Sequence, residues 1–342
     1  MTEATKRYLI IGPSWVGDMV MAQSFFIDLK QREPNSIIDV LAPAWTAALI
    51  DRMPQVRNLI QTNFQHGKLS LLERYRLGKS LREKGYTNAI TLPNSLKSAL
   101  VPAIAKIPIR TGFVGEQRWG FLNDIRRLDK TKLPMTVQRF IALGRNKNAF
   151  VPTTESIAEP QLKIDQSAVN NIKEKFALSN NHRILALCPG AEFGISKQWP
   201  MEHYAQLAQH YLDQGWDIWL LGSQKDKFSC DEINLKTGKR CSVLAGKTSL
   251  PEAIDLLSMA DLAVSNDSGL MHIAAALQTP LVAIYGSTDP QHTPPLSKNH
   301  VIAKLDLTCS PCFKRDCPLD HHDCLQKLTP QTVIMKAQSI IL

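Results

Sequence analysis

Short apolar runs closed by Gly, Pro or Asn recur along this chain, each followed by residues at helical spacing. RYLIIG (7–12) is the first, ended by Gly12-Pro13. A run of this kind reads as a strand buried on both faces, as in a parallel sheet. Helical spacing follows from Asp18 to Lys30. IIDVLA (37–42) predicts the next strand, with a helix near 44–53, and NLIQ (58–61) a third strand. Residues 69–84 read as an amphipathic helix and NAITL (88–92) as a strand. Strand and helix in this alternation imply a parallel sheet with crossover helices.

The rhythm breaks between Phe150 and Asn181, where Pro152, Pro160 and polar residues predict a connection plus one helix near 166–177. It then resumes. ILALCP (184–189), DIWLLG (217–222), SVLA (242–245), DLAVSN (261–266) and PLVAIYG (280–286) are the expected strands. Helices are expected at 201–213, 225–235, 251–259 and 269–277. Beyond Gly286 the pattern gives way to a Pro- and Cys-rich segment, and a helix over 330–342 closes the chain. The expected fold class is α/β, with two doubly wound domains in tandem. Such sheets bind ligands beyond the carboxyl ends of their strands, so the turns directly after strands are where chemistry is sought.

Length agrees with this division: 342 residues suit two domains of roughly 100–200 residues each. Charge adds an asymmetry. Of 40 Lys/Arg and 31 Asp/Glu, residues 1–150 hold 23 and 11, and residues 151–342 hold 17 and 20. A basic first half points to an acidic partner such as nucleic acid, an anionic membrane surface or a phosphorylated substrate. No zinc-finger spacing or aromatic RNA-binding motif supports nucleic acid. The opening MTEATKRYLIIGPSWVGD offers an apolar stretch of about four residues, short of the about 7–15 in an export signal. No run approaches the roughly 18 apolar residues of a membrane span. Seven cysteines without such a signal make the reducing cytosol the expected compartment.

Four strand-end turns carry candidate chemistry. GPSWVGD (12–18) is neither a dinucleotide fingerprint nor a P-loop. Its Asp18 is either a carboxylate that complements a helix dipole or a general base facing a hydroxyl. PGAEFGISKQWP (189–200) presents Lys197, a point charge for phosphate or a solvated lysine. In SNDSGLMHIAAAL (265–277), Asp267-Ser268-Gly269 opens a helix whose free N–H groups favour an anion, and His272 lies one turn on from Ser268. The plainer reading there is a helix cap and a packed histidine. YGSTDP (285–290) lines a nucleotide pocket or is only a loop. No D-x-D motif occurs, which favours helix ends and lysine over a divalent ion for neutralising phosphate.

Together these segments resemble glycosyltransferase family 9, the ADP-heptose-dependent heptosyltransferases of lipopolysaccharide synthesis. The resemblance is carried by GPSWVGDMVMAQS (12–24), LAPAW (41–45), LPNSLKSALVP (92–102), RTGF (110–113), LNDIRRLD (122–129), PGAEFGISKQWP (189–200), NDSGLMHIAAAL (266–277) and TPPLS (293–297). It implies a GT-B fold, two Rossmann-like doubly wound domains facing a central cleft. Residues 1–165 would bind the acceptor and 166–327 ADP-heptose, with a helix in 328–342 crossing back to the first domain. It implies inverting transfer of L-glycero-D-manno-heptose to the first heptose of the Kdo–lipid A inner core, with no cofactor required. The alternatives are transfer to Kdo or to a later core sugar within the family, and a non-catalytic two-lobed nucleotide-binding protein outside it.

The same resemblance assigns roles. Asp18 would be the base and Lys197 the cation on the diphosphate. Gly190, Ser196, Asn266, Asp267, Ser268, Gly269 and His272 would complete the donor site. Asn94, Lys97, Arg110 and Arg118 would meet the acceptor. The basic half then has its partner, a phosphorylated lipid at the cytoplasmic face of the inner membrane, with the protein held peripherally. Arg118-Trp119-Gly120-Phe121 mixes charge with aromatics as a membrane-surface contact would.

The resemblance leaves C-x2-C-x4-C-x6-C unassigned: Cys309, Cys312, Cys317 and Cys324, with His321 and His322 among them. A structural zinc site, a disulfide or redox pair, and unbound thiols are the three readings.

Overall fold

The computed structural model describes residues 5–64, 68–147, 149, 153, 156–178 and 181–341. The chain divides into two compact units, Met1–Glu159 and Pro160–Leu342.

The first unit is built on a parallel sheet of β1 (Arg7–Ile11), β2 (Ile37–Pro43), β3 (Asn58–Thr62), β4 (Asn88–Thr91), β5 (Ile109–Phe113) and β6 (Asp124–Arg126), in the order β3-β2-β1-β4-β5-β6. Helices at Val16–Arg32, Leu71–Ser80, Leu96–Ile104 and Thr136–Gly144, with a short one at Ala47–Ile50, make the crossovers. The central strands are the apolar runs read from the sequence, and Leu9, Ile10, Ile38, Val40 and Ala89 are fully buried. Strands β5 and β6 and the helices Leu96–Ile104 and Thr136–Gly144 add to the expected elements. IRTGF and DIR carry charge, threonine and glycine where a buried strand normally shows an apolar run. The helix Leu96–Ile104 contains Pro102, ordinarily a helix breaker.

The second unit carries β7 (Ile184–Cys188), β8 (Asp217–Leu220), β9 (Ser242–Val243), β10 (Leu262–Asn266), β11 (Leu281–Ile284) and β12 (His300–Ala303), in the order β12-β11-β10-β7-β8-β9, again all parallel. Every residue of β7, β10 and β11 is buried, the signature of strands covered on both faces. The strand pattern thus continues past Gly286 with one edge strand. Numbered from the start of each unit, both sheets run 3-2-1-4-5-6, the doubly wound order. The direction of winding reverses between β1 and β4 in one sheet and between β7 and β10 in the other. Those two switch points are where such folds hold ligands.

The division between the units falls a few residues before the expected one. Residues 160–165 belong with the second unit, not the first. Leu162 donates its N–H to Ala276 O, and the Asp165 carboxylate caps the helix Gln166–Lys175 at the N–H groups of Ser167 and Ala168. The closing helix, Pro330–Gln338, belongs to the second unit. It packs on β11, β12 and the helix Met201–Leu212, and Val333, Ile334 and Ala337 enter the second unit's core. That apolar stripe is already covered within its own unit.

Among the described residues, no helix is long and apolar enough to cross a membrane.

Candidate active site

In the first unit, the turn after β1 leads into the helix Val16–Arg32, and Asp18 stands half-buried in its first turn. The helix N-terminus favours the ionised carboxylate. At the far end of this helix Asp28 pairs with Arg32 and Arg145, and Arg32 donates to Gly144 O at 2.9 Å. These ties anchor the helix to the one at Thr136–Gly144. The turn after β4 lies on the other side of the same switch point. It exposes Asn94 and leads to Lys97, half-buried in the first turn of Leu96–Ile104. Asp18, Asn94 and Lys97 therefore flank the first switch point.

Arg110 and Arg118 have other duties. Arg118 is 2% exposed, and its guanidinium donates to Pro93 O at 2.7 Å, to Phe113 O and to Asn94 Oδ1 at 3.3 Å. Burial lowers its pKa. Arg110 donates to Phe121 O and Ile107 O, both at 2.7 Å. Both arginines tie backbone carbonyls around the end of β5. Enclosed in this way, Arg118 presents no charge to a lipid surface, whereas Arg110 is only partly buried. Their charge was legible, but the carbonyls they face were not. Of that tetrad Trp119 and Gly120 are exposed.

The second switch point gathers a denser cluster. Lys197, in the turn after β7, places its Nζ 2.6 Å from Asp267 Oδ2, in the turn after β10. Thr288, after β11, donates to the same Asp267 oxygen at 2.5 Å. The pair is nearly closed off, with side chains 14% and 4% exposed. Lys197 also lies 4.9 Å over the Phe193 ring. Ser268 caps the helix Gly269–Ala276 in extended conformation, with its Oγ 3.2 Å from Ser265 Oγ. The free N–H groups of that helix start beside the lysine, an arrangement suited to an anion. His272 is buried one turn in. Burial pushes its pKa down to about 4; Asp267 opposes this and Lys197 adds to it. The imidazole is therefore neutral at pH 7 and offers a hydrogen bond without a charge.

Three of the expected donor residues hold the loops in place. Asn266 is fully buried. It accepts from Trp199 N and Tyr204 OH, both at 3.1 Å, and donates to Pro189 O at 2.6 Å, which locks the turn after β10 to the turn after β7. Ser196 Oγ donates to Lys314 O at 2.5 Å and lies 3.0 Å from Ser287 Oγ. Gly190 leaves room for the Asp226 carboxylate, which a Cβ there would meet at 2.4 Å.

The Cys-rich segment acts on this cluster as a strap. Besides Lys314 O on Ser196 Oγ, Arg315 O accepts from Ser196 N at 3.2 Å, and Phe313 donates to Ser287 O at 2.7 Å. Ser310 Oγ donates to Gly286 O at 2.7 Å. Trp199 Nε1 donates to Leu328 O at 2.8 Å and fixes the far end. Gly194 passes so close beneath the strap that a Cβ would stand 2.4 Å from Arg315 O. Cys309, Cys312, Cys317 and Cys324 are half-buried free thiols, and Cys324 is pushed up to about 11 by burial and by the other three cysteines. Among the described residues, no group of three or more His, Cys, Asp or Glu is arranged to hold a metal ion, so the zinc reading lacks support. Neither the Arg118 ties nor the strap was legible beforehand, because both join residues through backbone atoms.

Two doubly wound sheets, the second with a lysine–aspartate pair and a helix start at its switch point, define a glycosyltransferase of the GT-B type. The family model of glycosyltransferase family 9 (heptosyltransferase) matches residues 74–322, and the chain belongs to that family. It is 44% identical to lipopolysaccharide heptosyltransferase 2 of Escherichia coli (strain K12), over 98% of this chain and 99% of that protein. It is 45% identical to lipooligosaccharide heptosyltransferase 2 of Haemophilus influenzae, over 97% and 99%. The solved structure of E. coli ADP-heptose LPS heptosyltransferase II superposes with a TM-score of 0.87 at 42% identity, covering 98% of both chains.

Proposed function

We propose that this protein transfers L-glycero-D-manno-heptose from ADP-heptose to the first heptose of the Kdo–lipid A inner core, with inversion at the anomeric carbon. The observation that carries the reading is the Lys197–Asp267–Thr288 cluster beside the start of the helix Gly269–Ala276, at the switch point of the second sheet. The similarity to heptosyltransferases 2 over nearly the whole chain supports the choice of acceptor.

In this mechanism the acceptor hydroxyl gives its proton to the Asp18 carboxylate as its oxygen bonds the anomeric carbon. The bond from that carbon to the diphosphate breaks with its electron pair, and ADP leaves. Asp18 suits the base because its carboxylate stands in the first turn of a helix at a strand's carboxyl end, where an acceptor held by the turns after β1 and β4 would lie. The leaving diphosphate gains charge, and groups placed in advance against that charge lower the barrier most. Lys197 has three N–H donors. One holds Asp267, which leaves others to reach phosphate oxygens while the carboxylate keeps the ammonium in place. The N–H groups opening the helix Gly269–Ala276 and the Ser268 hydroxyl bind the remaining oxygens. His272 adds a neutral hydrogen bond toward the diphosphate or ribose. Asn94 and Lys97, with the partly buried Arg110, are the acceptor-side contacts in this reading. Because the acceptor is lipid-linked, the enzyme works at the inner membrane's cytoplasmic surface.

The test is an acceptor panel carrying zero, one or two heptoses, with ADP release and product mass as readouts. Turnover is expected with the one-heptose acceptor. Preferred use of the heptose-free acceptor would reassign the protein to the preceding transfer, and no ADP release with any acceptor would refute catalysis.

A further inference from the structure

The helix Leu71–Ser80 carries its side chains the wrong way round for a surface helix. Its inward face holds the guanidinium of Arg74 and the bare backbone of Gly78, with Leu77 half-buried. Its outward face shows Leu71, 58% exposed, Leu72, 60%, and Tyr75, 49%, with Leu69 beside them. At about 100° per residue these three helical side chains span one arc of about 100°. Lys79 falls within the arc, and Arg76 borders it. Over residues 68–84 the exposed cations are Lys68, Arg76, Lys79, Arg82 and Lys84, against Glu73 and Glu83. The solvent-facing surface is thus leucine and tyrosine at one end and basic at the other.

The helix cannot roll to hide its leucines. Arg74 donates to Leu69 O at 2.8 Å and to Lys97 O at 3.0 Å, and lies 3.9 Å over the Phe64 ring. Gly78 sits against Ile104 so closely that a Cβ would meet it at 2.7 Å. The inward face is therefore locked to the helix Leu96–Ile104, and the apolar outward face is a fixed property of the fold. The bond to Lys97 O also joins this helix to the acceptor-side turn after β4.

We propose that the outward face of Leu71–Ser80, with its basic flank, docks the protein on an anionic lipid bilayer. Leucine and tyrosine side chains standing off a helix can enter the headgroup boundary, while lysine and arginine meet the lipid phosphates. Charge selects this occupant. A second copy of the chain would bring an equally basic face to a symmetric contact, and like charges there would oppose it. An uncharged apolar partner would leave Lys68, Arg76, Lys79 and Lys84 without a role. The inference extends the reading of a lipid-linked acceptor: the docked helix would bring the turn after β4 to the lipid surface.

The experiment compares vesicles of phosphatidylcholine alone with vesicles containing phosphatidylglycerol, by co-sedimentation of the full chain. Binding to the anionic vesicles is expected to exceed binding to the neutral ones by about tenfold or more, and to weaken with salt. Leu71→Glu with Leu72→Glu, and separately Lys79→Glu with Arg82→Glu, should each lower it by about tenfold. All four residues are exposed, and unchanged circular dichroism and melting would show the fold intact. Transfer to a deacylated, water-soluble acceptor should be unchanged in both variants, while transfer to a vesicle-embedded acceptor falls. Wild-type-like vesicle binding by both variants would overturn the proposal. So would loss of self-association in the leucine variant with vesicle binding intact, which would make the face a contact between copies. Failure of the wild-type chain to use even the soluble acceptor would refute the transferase reading and leave the vesicle result standing.

Discussion

Replacing Lys197 by alanine separates two jobs that one ammonium performs. At 2.6 Å from Asp267 Oδ2, the pair attracts by about 6 kcal/mol at an effective dielectric of about 20, most of it offset by desolvation. Removing the lysine leaves a carboxylate that is almost fully buried and keeps only the Thr288 hydroxyl among these partners. The expected loss is about 3 kcal/mol, the low end for breaking a buried pair, because the lysine retains some exposure. For a unit of this size that lowers the melting temperature by about 6–12 °C. Loss of the charge facing the leaving diphosphate should lower kcat by about 10²–10³-fold, the usual effect of deleting one group placed against developing charge. The two effects part in the double variant Lys197→Ala with Asp267→Asn. Neutralising Asp267 should restore most of the melting temperature and none of the turnover. The assay is ADP release at saturating donor, beside thermal unfolding of each variant. If turnover returned together with stability, or if Lys197→Ala alone stayed within tenfold of wild type, the lysine would serve the fold and not the reaction.

Four further outcomes follow from the geometry. Asp18→Asn should lower transfer by about 10³-fold or more while ADP binding by calorimetry is unchanged, and near-normal turnover would reject it as the base. His272 has its pKa depressed from 6.5 to about 4, so it contributes stability that is complete above pH 6.5 and lost as pH falls through 4, on the order of 3 kcal/mol in all. His272→Gln should remove that part of the acid sensitivity, read as a smaller fall in urea midpoint between pH 7 and pH 4.5. Gly194→Ala pushes against the backbone of Arg315, and should weaken donor affinity and destabilise by about 1–3 kcal/mol, seen in the donor KM and in melting. Asn266→Ala strands Trp199 N and Pro189 O and leaves Tyr204 OH only Cys188 O, and should lower stability by about 2–4 kcal/mol in urea unfolding with the sheet itself retained by circular dichroism.

The parts of this fold that could be read in advance are those governed by local pattern. Leu9–Ile11, Ile184–Cys188 and Leu262–Val264 are apolar because both faces of a central parallel strand are covered, so their runs are unambiguous. β5 and β12 sit toward the sheet edges, where Arg110, Thr111 and His300 are tolerated and the period disappears. The site follows the same division. Lys197, Asp267 and His272 follow strand ends directly, so topology alone brings them to one crevice. Arg118 looked like a surface cation because a sequence shows its charge and not the carbonyls of Pro93 and Phe113 that enclose it. Asn266 and Ser196 were expected in the donor site, and their bonds to the neighbouring turns rest on which way each side chain points, which a sequence does not show. The leucines of Leu71–Ser80 fitted an amphipathic helix. Only Gly78 against Ile104 and Arg74 on Lys97 O show that its apolar arc faces outward.

The strap over the donor loops also sets an order of events. Ser196 is held by a carbonyl 118 residues later in the chain, and Trp199 by one 129 residues later. Both sheets are complete once Ala303 has been synthesised. The Lys197 turn at that moment still lacks its seat on Lys314 and Arg315. In order of synthesis the strands therefore precede the segment that seats the Lys197 turn, and the core residues Val333, Ile334 and Ala337 come later still.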